Sequence, residues 1–326
     1  MKLYCKECFH EIVIGANEAG QRLDKFCRKW LKDVPLSAIY KAIRKGEIKV
    51  NGKKSKEKNF LEEGDIVESF NVKSKGQKKK FVRIDNNLKI TYEDENMLLV
   101  EKWPGVLVHS DRKEGDPTLT DYVLSYLYDK GDYTPELEVT FTPAPCNRLD
   151  RNTSGIVIFG KNYESLKNLN EMIRDRKIEK YYSSLVKGRI KDGFYEAYIS
   201  KNENENISKI YNEPKPNTKK IAMKVKTVQT CGSFSFIEIE LLTGRSHQLR
   251  AHLSYLGNPI IGDSKYGDKK LNSFFHNKYG LSYQYLYSYK LIFRDTMGNL
   301  EYMKNKTIAE TLPPIFKKIK KDVFKF

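Results

Sequence analysis

Between Gln21 and Leu31 the apolar residues Leu23, Phe26, Trp30 and Leu31 recur at helical spacing, with Arg22, Lys25, Lys29 and Lys32 on the remaining arc. The pattern predicts an amphipathic helix with a basic outer side. Pro35 ends it, and Ser37 is the expected N-cap of a second short helix, stopped by Gly46. That helix turns Ile39, Ala42 and Ile43 inward and Lys41, Arg44 and Lys45 outward. Ile48-Lys49-Val50 reads as a strand, Asn51-Gly52 as a hairpin turn, and Gly64-Asp65 as a turn into a strand through Ile66 and Val67. A helix hairpin backed by a small sheet is therefore expected over residues 15–72, after an N-terminal extension of residues 1–14.

The next stretch, Lys73 to Arg83, holds six positive residues and no acidic one, so 73–86 reads as a basic linker. A second domain is expected over 87–326. It opens with strands at Lys89 to Tyr92 and Met97 to Val100, joined by the acidic turn Glu93 to Asn96. Leu119, Tyr122, Val123, Tyr126 and Leu127 mark a helix, Ile156 to Phe159 a strand, and Leu166, Leu169 and Ile173 another helix. Strands follow at Tyr182 to Val186, Phe194 to Ile199, Ile221 to Val228 and Phe234 to Leu242, mostly without helices between them. This predicts an α+β fold: a large mixed, mainly antiparallel sheet with flanking helices, beside the small N-terminal α/β module. The alternation Tyr283, Tyr285, Tyr287, Tyr289 has the period of a strand and is read as sheet packing rather than a platform for bases.

Charge narrows the partner. Lys and Arg number 59 against 42 Asp and Glu, a formal net charge of +17, which favours a polyanion through long-range attraction and counterion release. No lipidation signal points to a membrane surface, and no run approaches the roughly 20 apolar residues of a membrane span. A cytoplasmic, monomeric protein with a nucleic-acid partner is expected. Of the five cysteines, Cys5 and Cys8 form a lone CxxC that His10 does not complete into a zinc site, and Cys27, Cys146 and Cys231 are scattered. No metal is expected.

Two segments carry candidate chemistry. Asn147-Arg148-Leu149-Asp150-Arg151-Asn152-Thr153-Ser154-Gly155 sets an arginine, a carboxylate and a second arginine on a polar loop feeding the apolar run Ile156 to Gly160. Thr243-Gly244-Arg245-Ser246-His247-Gln248-Leu249-Arg250 follows a strand and opens a helix whose buried stripe is Leu249, Leu253 and Leu256. A glycine-led turn at a helix N-terminus invites an anion, a phosphate or a carboxylate of the protein, and Arg245 lies within reach of it. His247 and His252 read as helix packing or capping.

In its order of parts the N-terminal module resembles the S-four RNA-binding domain, through Arg22-Leu23-Asp24-Lys25-Phe26, Ile43-Arg44-Lys45-Gly46, Val50-Asn51-Gly52-Lys53 and Gly64-Asp65. That resemblance implies Arg22, Lys25, Lys41, Arg44 and Lys45 as phosphate contacts. The Asp150 loop, Lys180-Tyr181-Tyr182 through Gly188, and Thr243 to Leu253 resemble the RluA-type pseudouridine synthases in order and spacing. Glu93 to Asn96, Lys102, Pro104-Gly105 and Gly262-Asp263-Ser264-Lys265-Tyr266-Gly267 match that family as well, and the likeness is strongest to its ribosomal C-type branch.

The resemblance implies an isomerase that turns a uridine of folded RNA into its carbon-linked isomer with no cofactor or metal. The expected substrate is 23S ribosomal RNA; transfer RNA is the alternative. A non-catalytic ribosome-assembly factor is the other class, and its signature would be loss of catalytic side chains. By the family's motifs Asp150 is the essential carboxylate, Arg245 the arginine paired with it, and Tyr182, in preference to Tyr181, the residue that stacks on uracil and takes the carbon 5 proton. Arg148 is implied beside the everted nucleotide, and Arg151 contacts phosphate or braces the loop. The family usually has histidine where this chain has Asn147; activity is expected to survive that difference.

Overall fold

The computed structural model describes residues 9–72, 81–85, 87–110, 116–135, 140–202 and 206–325. In the N-terminal module β1 (Phe9–Val13) precedes α1 (Leu23–Trp30), α2 (Leu36–Lys45), β2 (Ile48–Val50), β3 (Lys53–Lys54) and β4 (Ile66–Phe70). The sheet order is β1-β4-β2-β3, with β1 antiparallel to β4 from Phe9↔Phe70 to Val13↔Ile66. Residues 9–13, expected within an extension, thus supply an edge strand. Leu23, Phe26, Ile39, Ile43, Ile48 and Val67 pack as the core beneath the helix pair. Asn51 and Gly52 both take positive φ in the β2–β3 turn, the geometry that Asn-Gly favours. Ser37 is not the N-cap: α2 starts one residue before it, and Pro35, whose ring presets φ, holds the capping position. Most of the basic linker, residues 73–80, lies outside the described residues.

The second domain begins with β5 (Lys89–Glu93), β6 (Met97–Lys102), α3 (Leu119–Lys130), β7 (Ala144–Pro145), β8 (Ser154–Gly160) and α4 (Tyr163–Arg174). It continues through β9 (Ile178–Lys187), β10 (Gly193–Asn202), β11 (Ile207–Tyr211), β12 (Lys219–Cys231), β13 (Phe234–Leu241) and α5 (Gln248–Tyr255). Then come α6 (Lys269–Tyr279), β14 (Leu286–Phe293), β15 (Thr307–Ala309) and α7 (Pro314–Val323). These strands form one eleven-stranded sheet whose main path is β11-β10-β12-β13-β9-β14-β8-β6-β5. The β14–β8 pair is parallel, while β14 with β9 and β8 with β6 are antiparallel, so the sheet is mixed and the class α+β. No helix of the described residues is long and apolar enough to cross a membrane.

Every residue of β8 is buried, because both faces of this strand are covered. Val157 and Phe159 face Leu119, Val123, Leu249 and Leu253 of α3 and α5. Ile156 and Ile158 face Leu169 and Met172 of α4. Tyr285 and Tyr287 are fully buried against α7, Tyr285 stacking on Phe316 with ring centroids 3.8 Å apart. They are core residues. The two modules also touch: the buried Glu18 accepts hydrogen bonds from the amide and hydroxyl of Thr140 at 3.2 and 2.9 Å, and Asn17 accepts one from the Tyr163 amide at 2.9 Å.

Where the Asp150 loop enters β8, the parallel partner runs so close that a Cβ on Gly155 would lie 2.2 Å from the Ser288 carbonyl oxygen, and φ there is +124°. Only glycine fits. We predict that Gly155→Ala destabilises the second domain by about 3 kcal/mol or more through backbone displacement and strain. Thermal denaturation followed by circular dichroism will show a lowered transition; an unchanged midpoint would mean that β8 and β14 separate freely at this point.

Candidate active site

The Asp150 loop is held by bonds to its main chain. Asn147 spans the start of it, its Oδ1 accepting the Ile158 amide at 2.8 Å and its Nδ2 donating to the Ile156 carbonyl at 3.3 Å. At this position the side chain therefore binds β8. Leu149 is sunk in the core, the Thr153 amide donates to the Asp150 carbonyl at 3.0 Å, and Gln284 donates to the Thr153 hydroxyl at 2.9 Å. The loop's far side rests on Lys102, a fully buried lysine at the end of β6. Its Nζ donates to the carbonyls of Trp103, Val106 and Arg151 at 3.0, 2.8 and 2.8 Å. Burial pulls this ammonium down to about 7, Arg151 adds to the fall and Asp150 opposes it. Three acceptors, one for each N–H, support the charged form against burial.

So fixed, Asp150 points its carboxylate at α5. Arg250 Nη1 donates to Asp150 Oδ2 at 3.0 Å, while the same guanidinium grips Asp263 with its other edge, Nε to Oδ2 at 2.6 Å and Nη2 to Oδ1 at 2.9 Å. The side chains of Arg250, Asp263 and Asp150 are 7%, 0% and 24% exposed, so only Asp150 opens toward solvent. Asp263 also accepts the amides of Lys265 and Tyr266 at 2.9 and 3.0 Å. Burial alone would raise this carboxyl, but Arg250 and these amides hold it below the ordinary range. The Arg250 guanidinium loses from burial and gains more from the two carboxylates, which lift it above its usual value. Tyr266 covers it, its ring centroid 5.3 Å from Cζ, and the Tyr266 hydroxyl meets His247 Nδ1 at 2.9 Å.

Arg250 thus makes the ion pair expected of Arg245. Arg245 lies in the turn before α5 with its side chain exposed, its amide donating to Gln248 Oε1 at 3.1 Å. His247 caps α5 at φ +56°, and Arg250 falls in the first turn, where residues 248–253 are all buried. A carboxylate on the core side of the loop is met by the buried arginine.

Tyr182 of β9 is 5% exposed and belongs to the same core cluster as Leu149 and Leu249. Its phenol is pushed up to about 12, chiefly by burial, with the Ser288 hydroxyl lowering it and the Asp150 charge raising it. Tyr181 points elsewhere: its hydroxyl donates to Glu179 at 2.9 Å and Lys290 lies 4.1 Å over its ring. Arg148 and Arg151 are exposed at the loop's rim, and His109, lowered first by burial and then by Arg148, stands near them.

Comparisons with known proteins identify the family. The family profile for RNA pseudouridylate synthase matches residues 96–255, and the S4 domain profile matches 21–67. An uncharacterized RNA pseudouridine synthase of Mycoplasma capricolum is 34% identical, over 92% of this chain and 97% of its own. The chain belongs to the RNA pseudouridine synthase family. A ribosomal large subunit pseudouridine synthase C of Vibrio parahaemolyticus is 31% identical over 90% of each chain. The solved human RNA pseudouridylate synthase domain containing 4 shares the fold, with a TM-score of 0.57 and 21% identity over 72% of this chain and 92% of that one. The synthase isomerises uridine in RNA.

Its S4 domain presents the exposed side chains of Lys25, Lys41, Arg44 and Lys45. Arg22 is committed otherwise: Nε and Nη2 grip the buried Asp24 at 3.0 and 2.6 Å, and Tyr40 donates to the same carboxylate at 3.0 Å. Arg250, Asp263 and Lys102 are the residues of the synthase's site to which sequence reasoning gave no role. Cys5 and Cys8 lie outside the described residues.

Replacing Lys102 by methionine keeps the bulk and takes this donor from three carbonyls, of which that of Arg151 still accepts the Gly105 amide at 2.9 Å. We predict a net loss of about 2–4 kcal/mol, the orphaned acceptors outweighing relief of the buried charge. A thermal melt of Lys102→Met equal to the unaltered protein's would show that the loop does not depend on the ammonium.

Proposed function

We propose that this synthase modifies a uridine of large-subunit ribosomal RNA, with Asp150, Arg250 and Tyr182 as its reaction centre. The reading is carried by the 3.0 Å ion pair between Asp150 and Arg250, in which the carboxylate is the one member that opens outward. Support for the substrate comes from the relatives named ribosomal large subunit pseudouridine synthase C and from the S4 domain beside the catalytic domain. A +17 chain draws RNA of any sequence, so charge contributes affinity and the site contributes the reaction.

In this mechanism the target nucleotide is turned out of its stack and Arg148, exposed at the loop's rim, braces the gap. Asp150 meets the sugar and base. The bond from ribose carbon 1′ to uracil nitrogen breaks, the base rotates, carbon 5 joins the ribose and its proton leaves. Tyr182 enters as a neutral phenol, since burial holds it near 12, and lies against the uracil. To take the carbon 5 proton the phenol must first give its own proton to water, and a step that neutralises Asp150 removes the charge that disfavours the resulting phenolate. Arg250 keeps the carboxylate aimed throughout, fixed from behind by Asp263.

Asp150→Ala is predicted to abolish isomerisation and to leave RNA affinity within about threefold, because one acidic side chain adds little to phosphate attraction. Tritium release from ribosomal RNA labelled at uridine carbon 5 measures the first, and filter binding the second. Turnover by this variant would refute the assignment of Asp150.

A further inference from the structure

A groove of about 490 Å³ lies outside the reaction centre, between the β5–β6 edge and the start of α7. Its apolar lining is Trp103, Leu312 and Pro313, and its polar lining includes Lys89, Glu101 and Lys317. Trp103 is 37% exposed, so one face of its indole is open to a partner. It packs on Tyr122 with ring centroids 5.3 Å apart, which holds the indole in place. On the β5–β6 wall the charges are already matched: Lys89 binds Glu101 at 2.5 Å and Glu310 at 2.7 Å, while Lys317 opposite donates to the Thr311 hydroxyl at 3.1 Å. An indole beside a wall of paired charges suits an uncharged ring better than a phosphate.

The groove also adjoins the site. The Trp103 carbonyl hangs from the same Lys102 ammonium that holds Arg151 of the Asp150 loop, and the Gly105 amide donates to that Arg151 carbonyl at 2.9 Å. On the other wall Lys317 of α7 lines the groove, where its charge attracts a phosphate backbone passing it.

We propose that this groove takes an unpaired base of the substrate RNA beside the everted uridine, stacked on Trp103. This rests on the reading of the site given above. Everting one nucleotide unstacks its neighbours, and an aromatic face next to the loop replaces the lost stacking. Trp103 is then a specificity residue for the strand flanking the target.

The protein has two tryptophans, so Trp30→Phe leaves Trp103 as the sole reporter. Adding substrate RNA to Trp30→Phe in the binding-competent Asp150→Ala background should quench the indole fluorescence. If Trp30→Phe does not fold, subtracting the quench of Trp103→Phe from that of the unaltered protein gives the same quantity. Trp103→Ala should raise KM by about 5- to 100-fold, the worth of one stacked base, with a smaller change in kcat, and Trp103→Phe should recover most of the loss. Absence of quenching by RNA bound at the same concentration, or an unchanged KM in Trp103→Ala, would overturn the proposal, as would quenching by a proline-rich peptide and not by RNA. Quenching without tritium release from the unaltered protein would sink the isomerase reading and leave the groove standing; release without quenching would do the reverse.

Discussion

Arg250 carries one positive charge into the catalytic domain at the place where two carboxylates meet it, and neither side of that arrangement stands alone. Asp263, fully buried, takes Nε and Nη2 of the guanidinium and two backbone amides; Asp150, on the open side, takes an N–H of Nη1. An unpaired carboxylate at the Asp263 position would cost about 3–5 kcal/mol. An arginine without Asp263 would be free to swing toward solvent with Asp150. Pairing at the back fixes direction at the front, and Tyr266 over the guanidinium keeps water from its upper face.

The loop needs the same treatment because it is irregular backbone set against a buried strand. Lys102, Asn147, Gln284 and the close approach at Gly155 each fix one stretch of it. The sheet makes this possible: β8 lies between a parallel and an antiparallel neighbour and is covered on both faces, so the loop entering it rises from the most rigid part of the domain. A misplacement near 1 Å at a reacting carboxylate costs on the order of a hundredfold in rate, which is reason enough for this many restraints.

Periodicity makes most of the fold legible. The two S4 helices, the Asn51-Gly52 hairpin and the strands around β8 stand where the apolar spacing puts them. What escapes it has physical causes. The strand β1 alternates only between exposed and half-buried residues, so it carries no apolar signature. In α6 Phe275 alone is fully buried, too little for a stripe. Asp150 and Tyr182 are legible through family motifs, while the same motifs put the arginine at Arg245, because the stripe Leu249, Leu253, Leu256 leaves Arg250 on the margin of the helix. Only the fold, which buries the whole first turn of α5, turns Arg250 inward. Lys102 is visible as a motif residue, but besides its neighbours Trp103 and Val106 it binds the carbonyl of Arg151, far along the chain, a juxtaposition that spacing does not encode.

The most direct test sets Arg250→Lys beside Arg245→Lys in single-turnover tritium release, with folding of both checked by circular dichroism. A lysine at 250 cannot fork onto Asp263 and reach Asp150 together. The account predicts a rate lowered about 100-fold or more for Arg250→Lys, and within about threefold of the unaltered enzyme for Arg245→Lys, whose loss is confined to a rim contact. Turnover near the unaltered rate in Arg250→Lys, or the large loss appearing in Arg245→Lys instead, would contradict it.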